Sequence, residues 1–350
     1  MPSRRRDPLL LALVAVAALL EGALLIAAWR NGDFAIDLRQ TLLPAADKLA
    51  HGDSPYPEYG YPPLVAFLLV PFSVLSVNVA AVLYCALLAA CVPVSLWMLG
   101  VRDPRCHAAA FLWAPVFSAI QTGNVTLFLV LGSAAAWALR DRRRGAALAA
   151  GIATAAKILC WPLGLWLLAT RRVAGAMGAA AVALGLTFGL WATLGFDGLS
   201  SFGSGLERLG EEQAARSTTL TVLLDDLGAP GAVASAAGIG LAVSVLAGIA
   251  LFGYRRDDPR AFALACVAMV VASPIVWLHS FALLLPAVAV LRPRFSPVWL
   301  LPALAFAGSG TGNGTVAQTA LVLGVGITVI ALSLPTAPTF NPVSRFSKAN

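Results

Sequence analysis

The sequence predicts an all-α polytopic membrane protein, a single integral membrane domain over residues 1–350 with roughly 10–12 transmembrane helices. Three observations point there. Only 12% of the residues are charged, against roughly 25% in a soluble domain. Mean hydropathy is +0.83, and the apolar residues come in runs long enough to cross about 30 Å of hydrocarbon. Finally, Lys and Arg fall in short clusters between those runs. Clusters of that kind orient membrane helices, so the net charge of +7 reports topology and implies no nucleic acid.

Taken in order, "MPSRRRDPLLLALVAVAALLEGALLIAAWR" begins like a signal peptide. Its apolar stretch runs on to Trp29 without a small-x-small cleavage site, which predicts an uncleaved first helix over 8–30. A polar loop, 31–60, follows. Further apolar segments fall at 61–76, 79–99, 107–121, 124–139, 145–170, 173–195, 230–253, 261–277, 280–291, 296–308 and 314–334. The basic connectors are "SRRR" (3–6), "RDPR" (102–105), "RDRRR" (140–144), "TRR" (170–172), "YRRDDPR" (254–260) and "RPR" (292–294). These, with the tail 335–350, are assigned to the cytoplasm. The loops 31–60 and 196–229, Gly123-Asn124, the region of His279 and "GSGTGNGT" (308–315) then lie outside, in a multi-pass protein of the plasma membrane. A short amphipathic helix is expected around 204–216.

Two segments strain that assignment. Segment 145–170 has basic residues at both ends, so it must enter and return, with each arm too short to span. Its turn falls at "AAKILCWP", with Lys157 at the apex. A backbone break at membrane depth is tolerated only where protein buries it or a wet cavity meets it, so Lys157 is expected to face a cavity. Segment 61–76 is short and carries Pro62, Pro63 and Pro71, so it is expected to lie in the outer interface or to re-enter.

The outer face collects Asp33, Asp37, Asp47, Asp53, Tyr56, Glu58, Tyr59 and Tyr61, then Asn124, Lys157, Glu207 to Arg216, and His279. A single loop carboxylate is ordinarily just solvated, and a boundary tyrosine ordinarily an interface anchor. A lone histidine at a helix end is ordinarily structural. Lys157 differs, because an ionisable group inside a membrane segment is costly and marks function. Glu21 meets the same test without a role that can be named. The five cysteines lack paired spacing and read as apolar packing residues. The three histidines lack ligand spacing and no phosphate-binding glycine loop is present, so neither metal nor cofactor is expected.

An outward carboxylate, a cation at membrane depth and an apolar surround suit glycosyl transfer from a lipid-linked phosphosugar. The carboxylate would take the acceptor's hydroxyl proton. The cation would stabilise the departing lipid phosphate. One carboxylate doing base work implies inversion. The alternative is a transporter or scramblase of lipid-linked sugars, which the lack of an internal repeat disfavours. A non-catalytic partner in an envelope complex is a third reading.

These residues also carry a family resemblance. "IDLRQTLLPAADKLAHGDSPYPEYGYPPLVAFLLVPFSVL" resembles the signature region of the polytopic mannosyltransferases of glycosyltransferase family 87. "GNVTLFLVLG", "GIATAAKILCWP" and "ASPIVWLHSFALLLP" resemble three later elements of that family, in its order. The resemblance implies a GT-C fold with short broken helices around an outward-facing cavity. It implies a polyprenyl-phosphate sugar donor, a glycolipid or glycan acceptor, and mannose as the sugar. Carried over, it makes Asp37 the catalytic base and sets Lys157 and His279 at the donor phosphate. Tyr61 and Tyr56 would shape the substrate pocket, with Asn124 at the cavity wall. Thr41 stands where the family carries a tyrosine, and Pro162 follows Lys157 by more than the family's spacing.

Overall fold

In the computed structural model, residues 7–214, 217–308 and 315–334 are described; the basic stretch 3–6, most of "GSGTGNGT" and the tail 335–350 lie outside them. The first helix, α1 (Pro8–Asn31), starts where the Asp7 carboxylate caps the Leu9 and Leu10 amides. It ends at Gly32, whose φ of 81° suits the left-handed stop. Its 24 residues rise about 36 Å, enough for the hydrocarbon core.

After α1 come α2 (Leu43–Ala50), α3 (Pro63–Ser73), α4 (Val77–Met98), α5 (Pro104–Phe111), α6 (Ala114–Thr122) and α7 (Thr126–Ala138). Then follow α8 (Arg143–Ala156), α9 (Pro162–Ala169), α10 (Val173–Thr193), α11 (Leu199–Ala214) and α12 (Leu220–Asp226). The chain closes with α13 (Gly231–Tyr254), α14 (Asp258–Val271), α15 (Leu285–Leu291) and α16 (Val316–Ser333). Five described helices are long and apolar enough to span a membrane: α1, α4, α10, α13 and α16. Passes between them are shorter or broken, as at Trp113 between α5 and α6 and in the 3-10 runs Leu278–Leu284 and Pro297–Gly308.

Contacts tie the basic connectors together at one end. Asp258 accepts from Arg172 Nη1 and Nη2 at 3.0 and 2.9 Å and from Trp166 Nε1 at 2.8 Å. Arg140 Nε stands 3.2 Å from the same carboxylate, and Arg172 also reaches Asp141 at 2.9 Å. Asp103 Oδ2 accepts from the Phe295 amide at 3.1 Å, while Arg105 approaches Asp7 at 3.8 Å. Arg260 and Arg292 both donate to the end of α16, at Leu334 O and Leu332 O, which joins the two groups, so the connectors at 102–105, 140–144, 170–172, 254–260 and 292–294 share one end of the bundle with the start of α1.

This frame fixes both strained segments. Helix α8 leaves the charged end with 14 residues, about 21 Å of rise. The chain turns at Lys157 (φ −153°, ψ 120°) and returns through a 3-10 turn, Ile158–Cys160, and the 8-residue α9. Helix α10 runs beside α8 in the same direction. A Cβ on Gly151 would lie 2.6 Å from Val182 Cβ, and one on Gly178 2.8 Å from Ala147 Cβ. Only glycine permits helices to approach so closely. Helix α3 has 11 residues, about 16 Å, too short to span. It stays near the end opposite the charged connectors, where Arg39 donates to Asn78 Oδ1 at 2.7 Å beside Trp29.

Candidate active site

A cavity of about 1540 Å³ opens at the end opposite the charged connectors, among α1, α6, the hairpin turn, α11 and the segment before His279. Asp37 is set on its wall by an unusual piece of backbone. The Ala35 amide donates to Gln121 O at 2.7 Å while Ala35 holds φ at 56°, a left-handed conformation costly for any residue but glycine. The chain then winds into a π-helical turn, Leu38–Leu42, with Asp37 at its N-terminal boundary. This segment lies against Gly123, which ends α6 at φ 68°. A Cβ there would sit 3.2 Å from Leu38 Cβ and 3.3 Å from Ala35 Cα. Glycine at 123 thus lets the acid-bearing turn close onto the next residue.

That residue is Asn124, 2% exposed, whose Nδ2 donates to Asp37 Oδ2 at 2.7 Å. Its Oδ1 accepts from the Thr126 amide at 3.0 Å and the Thr126 hydroxyl at 2.7 Å. Burial pushes the Asp37 carboxyl above its ordinary range; the Asn124 bond, the Lys157 charge and the Thr122 hydroxyl oppose this without cancelling it. The acid is therefore a stronger base than an exposed aspartate, held in place by neutral donors.

Lys157 lines the same cavity, with Nζ 5.3 Å from the Tyr61 ring centroid. Among the described residues it makes no direct ion pair, so its charge acts on Asp37 through space. His279 enters from the start of the Leu278–Leu284 3-10 run, 7% exposed, and its Nε2 has no hydrogen-bond partner among the described residues. The preceding loop is stitched to the long polar loop between α11 and α12: the Ser217 hydroxyl accepts from the Val276 amide at 2.8 Å.

The structure thus brings Asp37, Lys157, His279, Tyr61 and Asn124 to one cavity. Tyr56 is not on the cavity wall. It is 6% exposed, donates to Tyr61 O at 2.9 Å and stacks on Trp191 at 5.3 Å, so it braces the loop that presents Tyr61. Asn124 spends its amide on Asp37 and Thr126, which makes it a support for the acid. Of the other loop acids, Asp33 and Glu58 line the cavity, and Glu58 is exposed and paired with Lys48 at 3.0 Å. Asp47 faces His51 outside it.

The amphipathic helix of the long loop is α11, starting at Leu199 rather than near 204. It presents Phe202, Leu206, Leu209 and Gln213 to the cavity, while Glu207, Glu211 and Glu212 are exposed. These acids keep the ordinary solvated role of a loop carboxylate, because the i, i+4, i+7, i+11 spacing of the cavity face turns them away from it; Arg216 lies outside the described residues. Sequence reasoning also missed Thr122 and Thr126, and the stripe Val16, Leu20, Leu24 and Ala27 of α1 that lines the apolar side. The helical spacing of that stripe is the one signal that was available.

Two comparisons return nothing: no curated protein and no solved structure matches the chain. The family model of glycosyltransferase family 87 matches residues 59–274. That span holds Tyr61, Asn124 and Lys157, with Asp37 shortly before it and His279 shortly after.

Proposed function

The chain belongs to glycosyltransferase family 87 and is a membrane glycosyltransferase, and from that premise we propose that it moves a hexose from a polyprenyl-phosphate donor to a glycolipid or glycan acceptor, inverting the anomeric centre. The family resemblance makes mannose the sugar to test first. Asp37 takes the proton of the acceptor hydroxyl as that oxygen forms its bond to the anomeric carbon. The bond from that carbon to the phosphate oxygen breaks, and its electron pair leaves on the polyprenyl phosphate. Lys157 carries the charge that develops there, and His279 offers its unpartnered Nε2 to the same phosphate. Tyr61 supports the ammonium from beneath.

The observation that carries this reading is the shared cavity. A half-buried carboxylate and an ammonium with no ion pair among the described residues line one void and feel each other's charge without bonding. That leaves room between them for a reacting sugar phosphate. If the basic connectors are cytoplasmic, the cavity faces the extracytoplasmic side of the plasma membrane, where a lipid-linked donor is available and a nucleotide sugar is not.

The test supplies sugar-labelled polyprenyl-phosphate-mannose and an alkyl mannoside acceptor to purified wild-type and Asp37→Asn protein. The reading expects a new glycosidic bond from the wild type and none from the variant. Equal transfer by both removes Asp37 from the mechanism. Movement of labelled lipid between leaflets without bond formation would favour the transporter instead.

A further inference from the structure

We propose that Thr126, which lies off the cavity wall, is a positioning residue for Asp37 and acts by fixing which way round the Asn124 side-chain amide sits. The inference rests on the reading of Asp37 as the base. An asparagine amide can point either end at a neighbour, and its orientation is set by its hydrogen bonds. At Asn124 the choice is forced. Two donors of Thr126, the amide at 3.0 Å and the hydroxyl at 2.7 Å, converge on Oδ1. Turning the amide over would set its NH₂ against the Thr126 backbone N–H, which can only donate, would cost the hydroxyl its present acceptor, and would set the amide oxygen against the Asp37 carboxylate. Thr126 thereby aims Nδ2 at Asp37 Oδ2, 2.7 Å away.

Burial makes this selection strict. Thr126 is 1% exposed and Asn124 2%, so water is not at hand to replace a lost partner. With Oδ2 tied, Oδ1 is the carboxylate oxygen left to accept a proton. The hydroxyl of Thr122 also favours the ionised carboxylate. Its own proton has a second acceptor in Ser118 O at 2.9 Å, so Asn124 is the donor without an alternative. The same chain of contacts gives Asn124 a function that its place near a substrate cavity does not by itself suggest.

A packing role and an orienting role separate in the pH profile. The charged and titratable groups around Asp37 are Lys157 of the hairpin turn, Tyr84 of α4, and Asp33, Glu58, Tyr61 and His279 on the cavity walls. None of these is altered by a change at position 126. A donor to the ionised carboxylate favours ionisation, so weakening that donor moves the acid limb of kcat/KM to higher pH.

The experiment measures kcat, KM and the pH profile of hexosyl transfer from polyprenyl-phosphate-mannose to an alkyl mannoside. The proteins are full-length wild type, Thr126→Val, Thr126→Ser and Asp37→Asn in detergent. Thr126→Val keeps the shape and the backbone donor but deletes the hydroxyl. It is expected to lower kcat about tenfold, leave KM nearly unchanged and shift the acid limb upward, while Thr126→Ser restores all three. Wild-type kcat and an unmoved limb in Thr126→Val overturn the inference. So does an equal loss in the Val and Ser variants with no shift of the limb. Undiminished transfer by Asp37→Asn would instead sink the assignment of the base, so the two failures are told apart.

Discussion

The two ends of the bundle treat charge in opposite ways. At the connector end the partly buried carboxylates Asp103, Asp257 and Asp258 each meet a guanidinium. Asp258 takes Arg172, Arg140 and the Trp166 ring N–H, Asp103 takes Arg105 at 2.9 Å, and Asp257 takes Arg260. The Arg105 hydrogen bond holds the Asp103 carboxyl below its usual range. At the cavity end, burial lifts Asp37 above its usual range, and only neutral donors hold it. Lys157 there has an aromatic face and no counter-ion, and His279 Nε2 has no partner. Satisfied charges brace a fold, whereas buried charges left unsatisfied are a cost that function explains.

Asp37→Asn gives the sharpest test of that contrast. Loss of the base is expected to cut transfer by about 10²–10⁴-fold, whereas thermal stability should hold or rise. The sign follows from the raised folded-state pKa. Folding favours the protonated acid, so the stability it adds is present at low pH and is lost as pH rises through the folded pKa. Near neutrality the ionised group is a burden that asparagine removes. A clearly lower melting temperature for the variant would break the comparison. For the same reason the acid limb of wild-type kcat/KM should lie above that of an exposed aspartate, and a limb at the ordinary aspartate value would contradict the burial.

Lys157→Met is expected next, with kcat down about 10²–10³-fold and no loss of stability, since no ion pair is broken. Steady-state kinetics and thermal unfolding in detergent check both halves. Gly123→Val should follow. A β-branched residue at φ 68° is strained, and its Cβ would press on Leu38 and Ala35, so transfer should fall about tenfold or more as the acid-bearing turn is displaced. Unchanged kinetics would mean that the turn tolerates displacement. The smallest effect on activity belongs to the other end. Asp258→Asn should lower stability by about 1–3 kcal/mol, read by denaturation, and leave the acid limb of the pH profile where it was.

Much of this architecture could be read from the chain. Basic residues at 140–144 and 170–172 with too little length between them predict a hairpin, and Lys157 is found at its turn. Helix α3 proves as short as its prolines imply. The loop was harder to read. Tyr56 and Tyr61 look alike in "PYPEYGYPP", yet one packs on Trp191 and the other meets Lys157. Glu207, Glu211 and Glu212 share the outer face with the site residues in sequence, and only the helical phase of α11 tells them apart.

Sequence alone determined the membrane class, the gathering of the described connectors at one end and the hairpin that turns at Lys157, because hydropathy, charge and segment length act locally along the chain. Tertiary structure alone decided that Asn124 grips Asp37 across 87 positions, that Ala35 takes a left-handed turn, and that α1 forms a cavity wall. Those outcomes depend on which surfaces of distant segments come within a few ångströms of each other. No local pattern encodes that, because it is fixed only when every helix has found its neighbour.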